Sequence, residues 1–160
     1  MMRAYVALGS NLGDSKQHLL DAIEALAVLP DTSLIARSRI YRTPPWGKLD
    51  QPDFLNAVVA IETSREPHDL LDALLNIERA AGRERNGERW GPRTLDLDLL
   101  YVAGKAVNSE RLTLPHPHIA NRAFVLLPLH DVAPELDVPG QGKVADLLRA
   151  VDTQGCTPLA

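Results

Sequence analysis

The chain of 160 residues contains a single cysteine, Cys156. One cysteine excludes an intrachain disulfide, and this composition fits a reducing compartment. No segment approaches the ~20 apolar residues of a membrane-spanning helix, and the first residues lack the charged and apolar regions of a signal peptide. We therefore expect a cytoplasmic protein that does not contact a membrane.

The common phosphate-binding loops are also missing. Neither G-x-x-x-x-G-K-[ST] nor G-x-G-x-x-G occurs. Gly82 and Gly87 have the glycine spacing of the first motif, but Glu88 and Arg89 follow in place of Lys and Ser or Thr. The net charge of −4 argues against nucleic-acid binding through a basic surface. A bound phosphate group would therefore depend on individual side chains.

The length predicts one domain over residues 1–160, with a loose tail at 152–160, where no periodicity is present. Hydrophobic periodicity predicts strands and helices in a definite order. They are a strand at 3–9, a helix from Asp14 or Ser15 to before Pro30, strands at 33–41 and 55–61, a helix from Pro67 to Gly82, a strand at 95–102, and helices starting near residues 121–123 and 144. This order indicates an α+β fold with a ferredoxin-like βαββαβ core, a largely antiparallel sheet with helices packed on it, and a C-terminal extension.

Asp96 and Asp98 are the most informative pair of residues. Two positions apart on a strand, they point to the same face about 6.6 Å apart, while Leu95, Leu97 and Leu99 face the core. The alternative is that the two aspartates simply lie on an ordinary solvent-exposed polar face of the strand. However, a cluster of arginines ends just before the pair, and it consists of Arg83, Arg85, Arg89 and Arg93. Mg²⁺ takes one or two carboxylates plus phosphate oxygens, so the combination favours polyphosphate chemistry over a merely solvated surface.

Two histidines and an arginine lie further along the chain. His116-Pro117-His118 does not predict zinc, because no H-x-x-x-H or C-x-x-C partner is present. We expect His116 and Arg122 to contact a phosphate and His118 to be exposed to solvent.

Aromatic residues make up only 4% of the chain, which makes their positions useful. Phe54 and Phe124 are the only phenylalanines, and Trp46 and Trp90 lie in two irregular segments, 43–53 and 82–92. Core packing is the ordinary role of a phenylalanine. The alternative is that the two rings stack on either side of a flat heterocycle.

Six segments together resemble the 6-hydroxymethyl-7,8-dihydropterin pyrophosphokinase family. They are Gly9–Gly13 (GSNLG), Tyr41–Trp46 (YRTPPW), Gln51–Asn56 (QPDFLN), Arg89–Asp98 (RWGPRTLDLD), Leu114–His116 (LPH) and Asn121–Phe124 (NRAF). The likeness extends over residues 3–136, and the RWGPRTLDLD run is the most specific of the six.

The resemblance implies ATP-dependent diphosphate transfer to the pterin alcohol in folate biosynthesis, which releases AMP and uses two Mg²⁺ ions, with ATP as co-substrate. It implies that Asp96 and Asp98 bind both metals. It implies a catalytic role for Arg83 and Arg93, and nucleotide contacts for Glu78, Arg85, Arg89, Trp90, Leu99, Arg111, Leu112, Thr113, His116 and Arg122. It implies pterin contacts for Thr43, Pro44, Pro45, Trp46, Phe54, Asn56 and Phe124.

The chain departs from the family pattern at four positions: Phe54 stands where some members have Tyr, Leu75 where some have a polar residue, Asn86 where some have Lys, and Pro117 where some have an aromatic residue. We expect changes in affinity and an unchanged metal pair. The alternatives are a kinase that yields ADP, an inactive pterin carrier and an RNA-binding module. We expect small-molecule partners, a monomer and no nucleic acid.

Overall fold

The computed structural model describes residues 1–45, 50–82 and 94–159. The strands are β1 (Met2–Ser10), β2 (Thr32–Arg37), β3 (Tyr41–Thr43), β4 (Phe54–Thr63), β5 (Asp96–Val102), β6 (Val107–Asn108), β7 (Thr113–Leu114), β8 (Asp137–Val138), β9 (Gly142–Lys143) and β10 (Thr157–Pro158). The helices are α1 (Ser15–Ala27), α2 (Pro67–Ala80), α3 (Ala123–Val132) and α4 (Val144–Ala150), with a short 3₁₀ helix at Ile119–Asn121.

The main sheet has the order β10-β3-β4-β1-β5, and β2 also pairs with β4. Every strand pairing among the described residues is antiparallel. The path from β1 through α1, β2, β3, β4, α2 and β5 is the predicted βαββαβ order, with the β2–β3 region as one strand position. The predicted α+β fold with a ferredoxin-like core is therefore confirmed.

Local signals in the sequence explain where the first two helices begin and end. Asp14 caps α1, because its side chain accepts a hydrogen bond from the backbone N–H of Gln17 at 3.2 Å. Pro67 occupies the first turn of α2, where its missing N–H costs no hydrogen bond. The backbone N–H of Gly82 donates to the carbonyl of Arg79 just after the end of α2.

Helices cover both faces of the sheet. One face packs with α1 and α2 in a large apolar cluster that includes Leu8, Leu97 and Leu99. The other face packs with α3 and α4 in a second cluster that includes Tyr5, Val58 and Leu100. We call these the α1/α2 face and the α3 face. They present alternate residues of the same strands, as the period of two requires.

Two sequence-based expectations differ from the structure. The strand predicted at 33–41 is two strands, because the hydroxyl of Ser38 accepts a hydrogen bond from the N–H of Val58 at 2.9 Å and interrupts the regular ladder. The tail predicted to be loose includes β10, which pairs with β3, and the N–H of Leu159 donates to the carbonyl of Ile40 at 2.8 Å. A two-residue strand leaves too little periodicity to be recognised in the sequence.

Polar side chains also connect β3 to α3. The Arg39 guanidinium donates to both carboxylate oxygens of Asp131, at 3.2 and 3.0 Å, and the Tyr41 hydroxyl donates to the same carboxylate.

Among the described residues, no helix has the length and apolar character needed to cross a membrane.

Candidate active site

The two aspartates of β5 lie on the α3 face of the sheet. Across β5, β1 and β4, Asp96 pairs with Gly9, and Gly9 pairs in turn with Asn56 of β4. Asp98 lies in the next row of that face, opposite Ala7. Both aspartates are half-buried, whereas Leu97 between them is buried on the α1/α2 face. The predicted division of β5 into a core face and a carboxylate face is correct.

Gly9 allows β1 to approach the amide of Asn56 closely. A Cβ atom at residue 9 would lie 2.9 Å from Asn56 Oδ1, which is closer than side-chain packing permits. The Asn56 Nδ2 donates to Thr43 Oγ1 at 2.7 Å, and both residues are buried. Strands β1, β3 and β4 therefore hold one amide in a fixed orientation, in the same row of the sheet as Asp96.

Glu78 supports β5 from behind the aspartates. It is 3% exposed at the end of α2, and its Oε2 accepts a hydrogen bond from the backbone N–H of Leu97 at 2.7 Å. Leu97 lies between Asp96 and Asp98, and β5 is the last strand of the main sheet as far as the structure describes the chain. Glu78 therefore anchors the backbone on which both carboxylates are mounted.

His116 is held next to the carboxylate pair in a neutral form. The backbone N–H of His116 donates to the carbonyl of Leu100 at 2.7 Å, and Leu100 is two residues beyond Asp98 on β5. Burial, followed by the charges of Arg122 and His118, lowers the pKa of His116 from 6.5 to about 4, although Asp96 acts in the opposite direction. The backbone N–H of His118 donates to His116 Nδ1 at 3.1 Å. Because Nδ1 is an acceptor, the ring proton of the neutral form is on Nε2.

The two phenylalanines lie at the margin of the same face. Phe54 begins β4 opposite Thr43, two residues before Asn56, so both point to the α3 face. Phe124 is in the first turn of α3 and packs against the apolar cluster of that face. Both rings are half-buried, and the guanidinium carbon of Arg122 lies 5.8 Å from the centre of the Phe124 ring. Half-buried rings beside a polar row suit the stacking of a flat, polar-edged molecule.

The residues implied for adenine and ribose lie apart from this group. Leu99 and Leu112 are 4% and 7% exposed in the cluster of the α1/α2 face. Arg111 is exposed and forms an ion pair with Asp72 of α2, and Thr113 is exposed on β7. Asp98 and Leu99 point to opposite faces of the edge strand β5, so the two groups of residues are separated by that edge.

The donor atoms present fit magnesium better than zinc. Among the residues that the structure describes, no group of three or more histidine, cysteine, aspartate or glutamate side chains is arranged to hold a metal ion. Zinc sites in proteins have three or four protein ligands. Mg²⁺ instead accepts one or two carboxylates and takes its other ligands from phosphates and water. Asp96 and Asp98 provide that donor set.

Several predicted site residues lie outside the described part of the chain. They are Trp46, Arg83, Arg85, Arg89, Trp90 and Arg93. Pro44 and Pro45, which precede this first gap, are exposed and half-exposed, respectively. As expected, His118 is exposed.

The structure also shows polar contacts of Asn11, beside the site, that the sequence did not predict. Asn11 is 3% exposed, and its Nδ2 donates to Gln51 Oε1 at 2.8 Å and to the carbonyl of Pro52 at 3.0 Å. These bonds fix the segment that leads into Phe54 and Asn56. Asn11 belongs to the GSNLG segment, whose position near the end of β1 was the only available signal.

The sequence matches the model of one protein family over residues 5–134, and that family is described as 7,8-dihydro-6-hydroxymethylpterin-pyrophosphokinase. The chain is similar to 2-amino-4-hydroxy-6-hydroxymethyldihydropteridine pyrophosphokinase of Methylorubrum extorquens, with 50% identity over 97% of each chain. The protein of the same name from Pseudomonas aeruginosa is 46% identical over 97% of this chain and 95% of its own length.

The fold is similar to that of a solved structure, Plasmodium falciparum HPPK-DHPS wild type with STZ-DHP. The TM-score is 0.71, the sequence identity is 15%, and the match covers 92% of this chain. This chain spans only 43% of that longer one. At this level of identity the likeness concerns the fold alone.

Proposed function

The chain belongs to the 7,8-dihydro-6-hydroxymethylpterin-pyrophosphokinase family, and on that basis we propose that it acts through a site centred on Asp96 and Asp98. The reaction transfers a diphosphate group from ATP to 6-hydroxymethyl-7,8-dihydropterin, giving AMP and the pterin diphosphate, in folate biosynthesis. The observation that supports this site most directly is the row of Asn56, Gly9 and Asp96 across three strands, because it puts a fixed amide and a carboxylate on one face, on either side of a residue without a side chain.

Asp96 and Asp98 are the proposed ligands of two Mg²⁺ ions. Two half-buried carboxylates on one strand face repel each other and are stabilised by sharing cations. When bound, the ions would supply the positive charge that polarises phosphate oxygens and offsets the charge of the leaving group. Glu78 keeps the carboxylates in place through the backbone of Leu97 and does not itself need to reach the ions.

His116 and Arg122 are the proposed phosphate ligands among the described residues. With Nδ1 occupied as an acceptor, His116 presents Nε2–H as a donor, and Arg122 contributes a full positive charge. A neutral donor beside a cation can bind a phosphate oxygen without the cost of a second buried charge. Four arginines and one tryptophan complete this proposal from outside the described residues, namely Arg83, Arg85, Arg89, Arg93 and Trp90.

The pterin is proposed to lie between Phe54 and Phe124, with its polar edge against Asn56. Because Nδ2 of Asn56 already donates to Thr43, the orientation of the amide is set before the substrate binds. Such an arrangement avoids the cost of ordering the side chain on binding. The backbone of Thr43–Trp46, including Pro44 and Pro45, is the proposed wall beside that edge.

The adenosine part of ATP is proposed to contact Leu99, Arg111, Leu112 and Thr113. A nucleotide that reaches these residues as well as Asp98 passes around the exposed edge of β5. This path requires that no strand pairs with β5 on that side, and among the described residues β5 is the last strand in the order of the sheet. We further propose that the chain is one pyrophosphokinase domain that acts as a cytoplasmic monomer.

An RNA-binding platform is the weaker alternative, because such platforms present exposed aromatic rings on central strands. Tyr5 and Tyr101 are on central and edge strands but only 7% and 9% exposed. The α3 face on which Tyr5 lies is covered by helices.

The products of one incubation test the proposal. Purified protein, ATP, Mg²⁺ and 6-hydroxymethyl-7,8-dihydropterin should give AMP and pterin diphosphate in equal amounts when the products are separated by chromatography. Replacing Mg²⁺ by excess chelator should stop the reaction. ADP as the main nucleotide product would identify an ordinary kinase, and an absence of turnover with retained pterin binding would favour the carrier.

A further inference from the structure

A short segment, residues 116–122, carries both His116 and Arg122 and is weakly held by its own backbone. Its 3₁₀ helix contains two hydrogen bonds of 3.4 Å, from the N–H of Asn121 to the carbonyl of His118 and from the N–H of Arg122 to that of Ile119. Bonds of that length lie beyond the usual range of 2.7–3.2 Å. The segment therefore needs support from elsewhere in the molecule to hold both side chains in one geometry.

One side chain from the C-terminal hairpin supplies such support. Gln141, in the turn between β8 and β9, donates through Nε2 to the carbonyl of His116 at 2.8 Å. Its Oε1 accepts a hydrogen bond from the N–H of Ala120 at 3.1 Å. Both halves of the amide are thus used, and they bridge two points of the 116–122 segment.

The hairpin itself is anchored, and its contacts hold the backbone of Gln141 in place. The N–H of Gln141 donates to the carbonyl of Val138 at 3.0 Å, and the N–H of Val144 donates to that of Leu136 at 2.9 Å. Val138 and Val144 are fully buried in the apolar cluster that also contains Ile119 of the 3₁₀ helix. The amide therefore connects two parts of one packed layer.

We propose that Gln141 is a positioning residue for the nucleotide half of the reaction, which it serves by fixing the 116–122 segment so that His116 and Arg122 face Asp96. The inference rests on the proposed phosphate-binding role of those two residues. Gln141 lies beyond residues 5–134, the part of the chain that the family model covers. The C-terminal extension would thus have a role in substrate binding in addition to packing.

The geometry predicts which of the two KM values changes when the Gln141 amide is removed. His116 and Arg122 are on the phosphate side of the site, whereas Asn56 and Thr43, on the pterin side, are held by β1, β3 and β4 and do not depend on the hairpin. Loss of the Gln141 amide should therefore raise the KM for ATP and leave the KM for the pterin nearly unchanged. A residue with a purely structural role would lower the melting temperature without separating the two constants.

The test uses Gln141→Met, which keeps the length of the side chain and removes both hydrogen bonds. Gln154→Met is the matched control, because Gln154 is exposed and its bond to Asp152 is made by its backbone N–H. We expect the KM for ATP to rise about 3- to 10-fold in Gln141→Met, in line with the loss of one or two hydrogen bonds. The KM for the pterin should change less than about twofold, and the control should match the wild type. An unchanged KM for ATP, or equal changes in both constants, would overturn the inference, whatever the melting temperature.

Two further variants separate this inference from the proposed function. Arg122→Ala should raise the KM for ATP. An unchanged KM would show that Arg122 does not bind phosphate, which would contradict the proposed function. In the double variant Gln141→Met/Arg122→Ala, the loss should be smaller than the product of the two single losses, because Gln141 acts partly through Arg122. Strict multiplication of the two effects would count against positioning through Arg122. If Gln141→Met does not fold, Gln141→Asn, which keeps the amide but shortens its reach, provides the same comparison.

Discussion

The two faces of the central sheet have the same strands but differ in what covers them. On the α1/α2 face, the side chains of Leu8, Leu55, Leu97 and Leu99 are at most 8% exposed and form one continuous apolar layer. On the α3 face, the apolar layer of Tyr5, Val58 and Leu100 gives way to Asn56, Asp96 and Asp98 toward one end of the strands. Adjacent residues of β5 therefore serve different purposes.

This difference follows from the cost of burying polar groups. A helix placed over Asp96 and Asp98 would have to pair or neutralise both carboxylates, because an unpaired buried charge is strongly destabilising. Helix α3 begins at Ala123 and packs where the sheet is apolar. The polar end of the face is consequently the region proposed to bind a charged ligand, and Phe124 lies at the boundary between the two regions.

The largest expected effect comes from the carboxylate face of β5. Asp98→Asn keeps the size of the side chain but removes its charge, so we expect the turnover number to fall on the order of 10³-fold, as for other groups that stabilise transition-state charge. The melting temperature should change little, because one of two repelling charges is removed. Rates at increasing Mg²⁺ concentration provide the measurement, and near-normal turnover at saturating Mg²⁺ would contradict the metal assignment.

The neighbouring residue should show the opposite behaviour. Leu97→Ala removes a side chain that is 5% exposed on the α1/α2 face, and we expect the free energy of unfolding to fall by about 3 kcal/mol. The turnover number of the folded fraction should stay within a few-fold of the wild type. Denaturant unfolding and assays well below the melting temperature separate the two quantities, with Leu97→Met as a control of similar volume. A large loss of turnover at normal stability would show that the Leu97 side chain itself contributes to catalysis.

A smaller effect is expected where β1 approaches Asn56. In Gly9→Ala, the new methyl group would lie 2.9 Å from Asn56 Oδ1, so the amide or the strand must shift. Overpacking of this kind costs about 1 to 3 kcal/mol, and we expect the KM for the pterin to rise more than that for ATP. Ala7→Gly, one row along the same face, is the control because Ala7 pairs with Val58 and Asp98 instead. Equal increases in both KM values would mean that Gly9 affects the whole sheet.

The fold and the carboxylate face were largely predictable because they depend on local periodicity. The alternation of Leu95–Leu99 was enough to assign the face of each aspartate, and Pro67 marked the start of α2. In contrast, Ser38 interrupts a strand through its side chain, and β10 pairs with a strand more than a hundred residues away in the chain. Such contacts depend on tertiary structure and leave no periodic signal.

The supporting contacts of the site were missed for the same reason. Glu78 was assigned through resemblance, but its bond to the backbone of Leu97 spans 19 residues and has no sequence signature. Gln141 is 25 residues from His116, in a hairpin whose strands have two residues each. The side chains proposed to contact substrate belong to recognisable motifs, whereas those that hold them in place are found only once the chain is folded.

The last expected effect concerns protonation of His116, at the polar end of the α3 face. Its pKa is lowered from 6.5 to about 4, first by burial and then by the charge of Arg122. The folded state therefore binds fewer protons than the unfolded state between these two values, so His116 contributes stability above pH 6.5 that is lost as the pH falls through 4. His116→Asn, which cannot be protonated, should lack this part of the pH dependence of the free energy of unfolding. NMR titration of the imidazole, assigned by its absence in the variant, should give a midpoint near 4, and the neutral ring should persist throughout the range of pH 6 to 8. A midpoint near 6.5 would mean that His116 is largely solvated, and its proposed role as a neutral Nε2–H donor to phosphate would then be wrong.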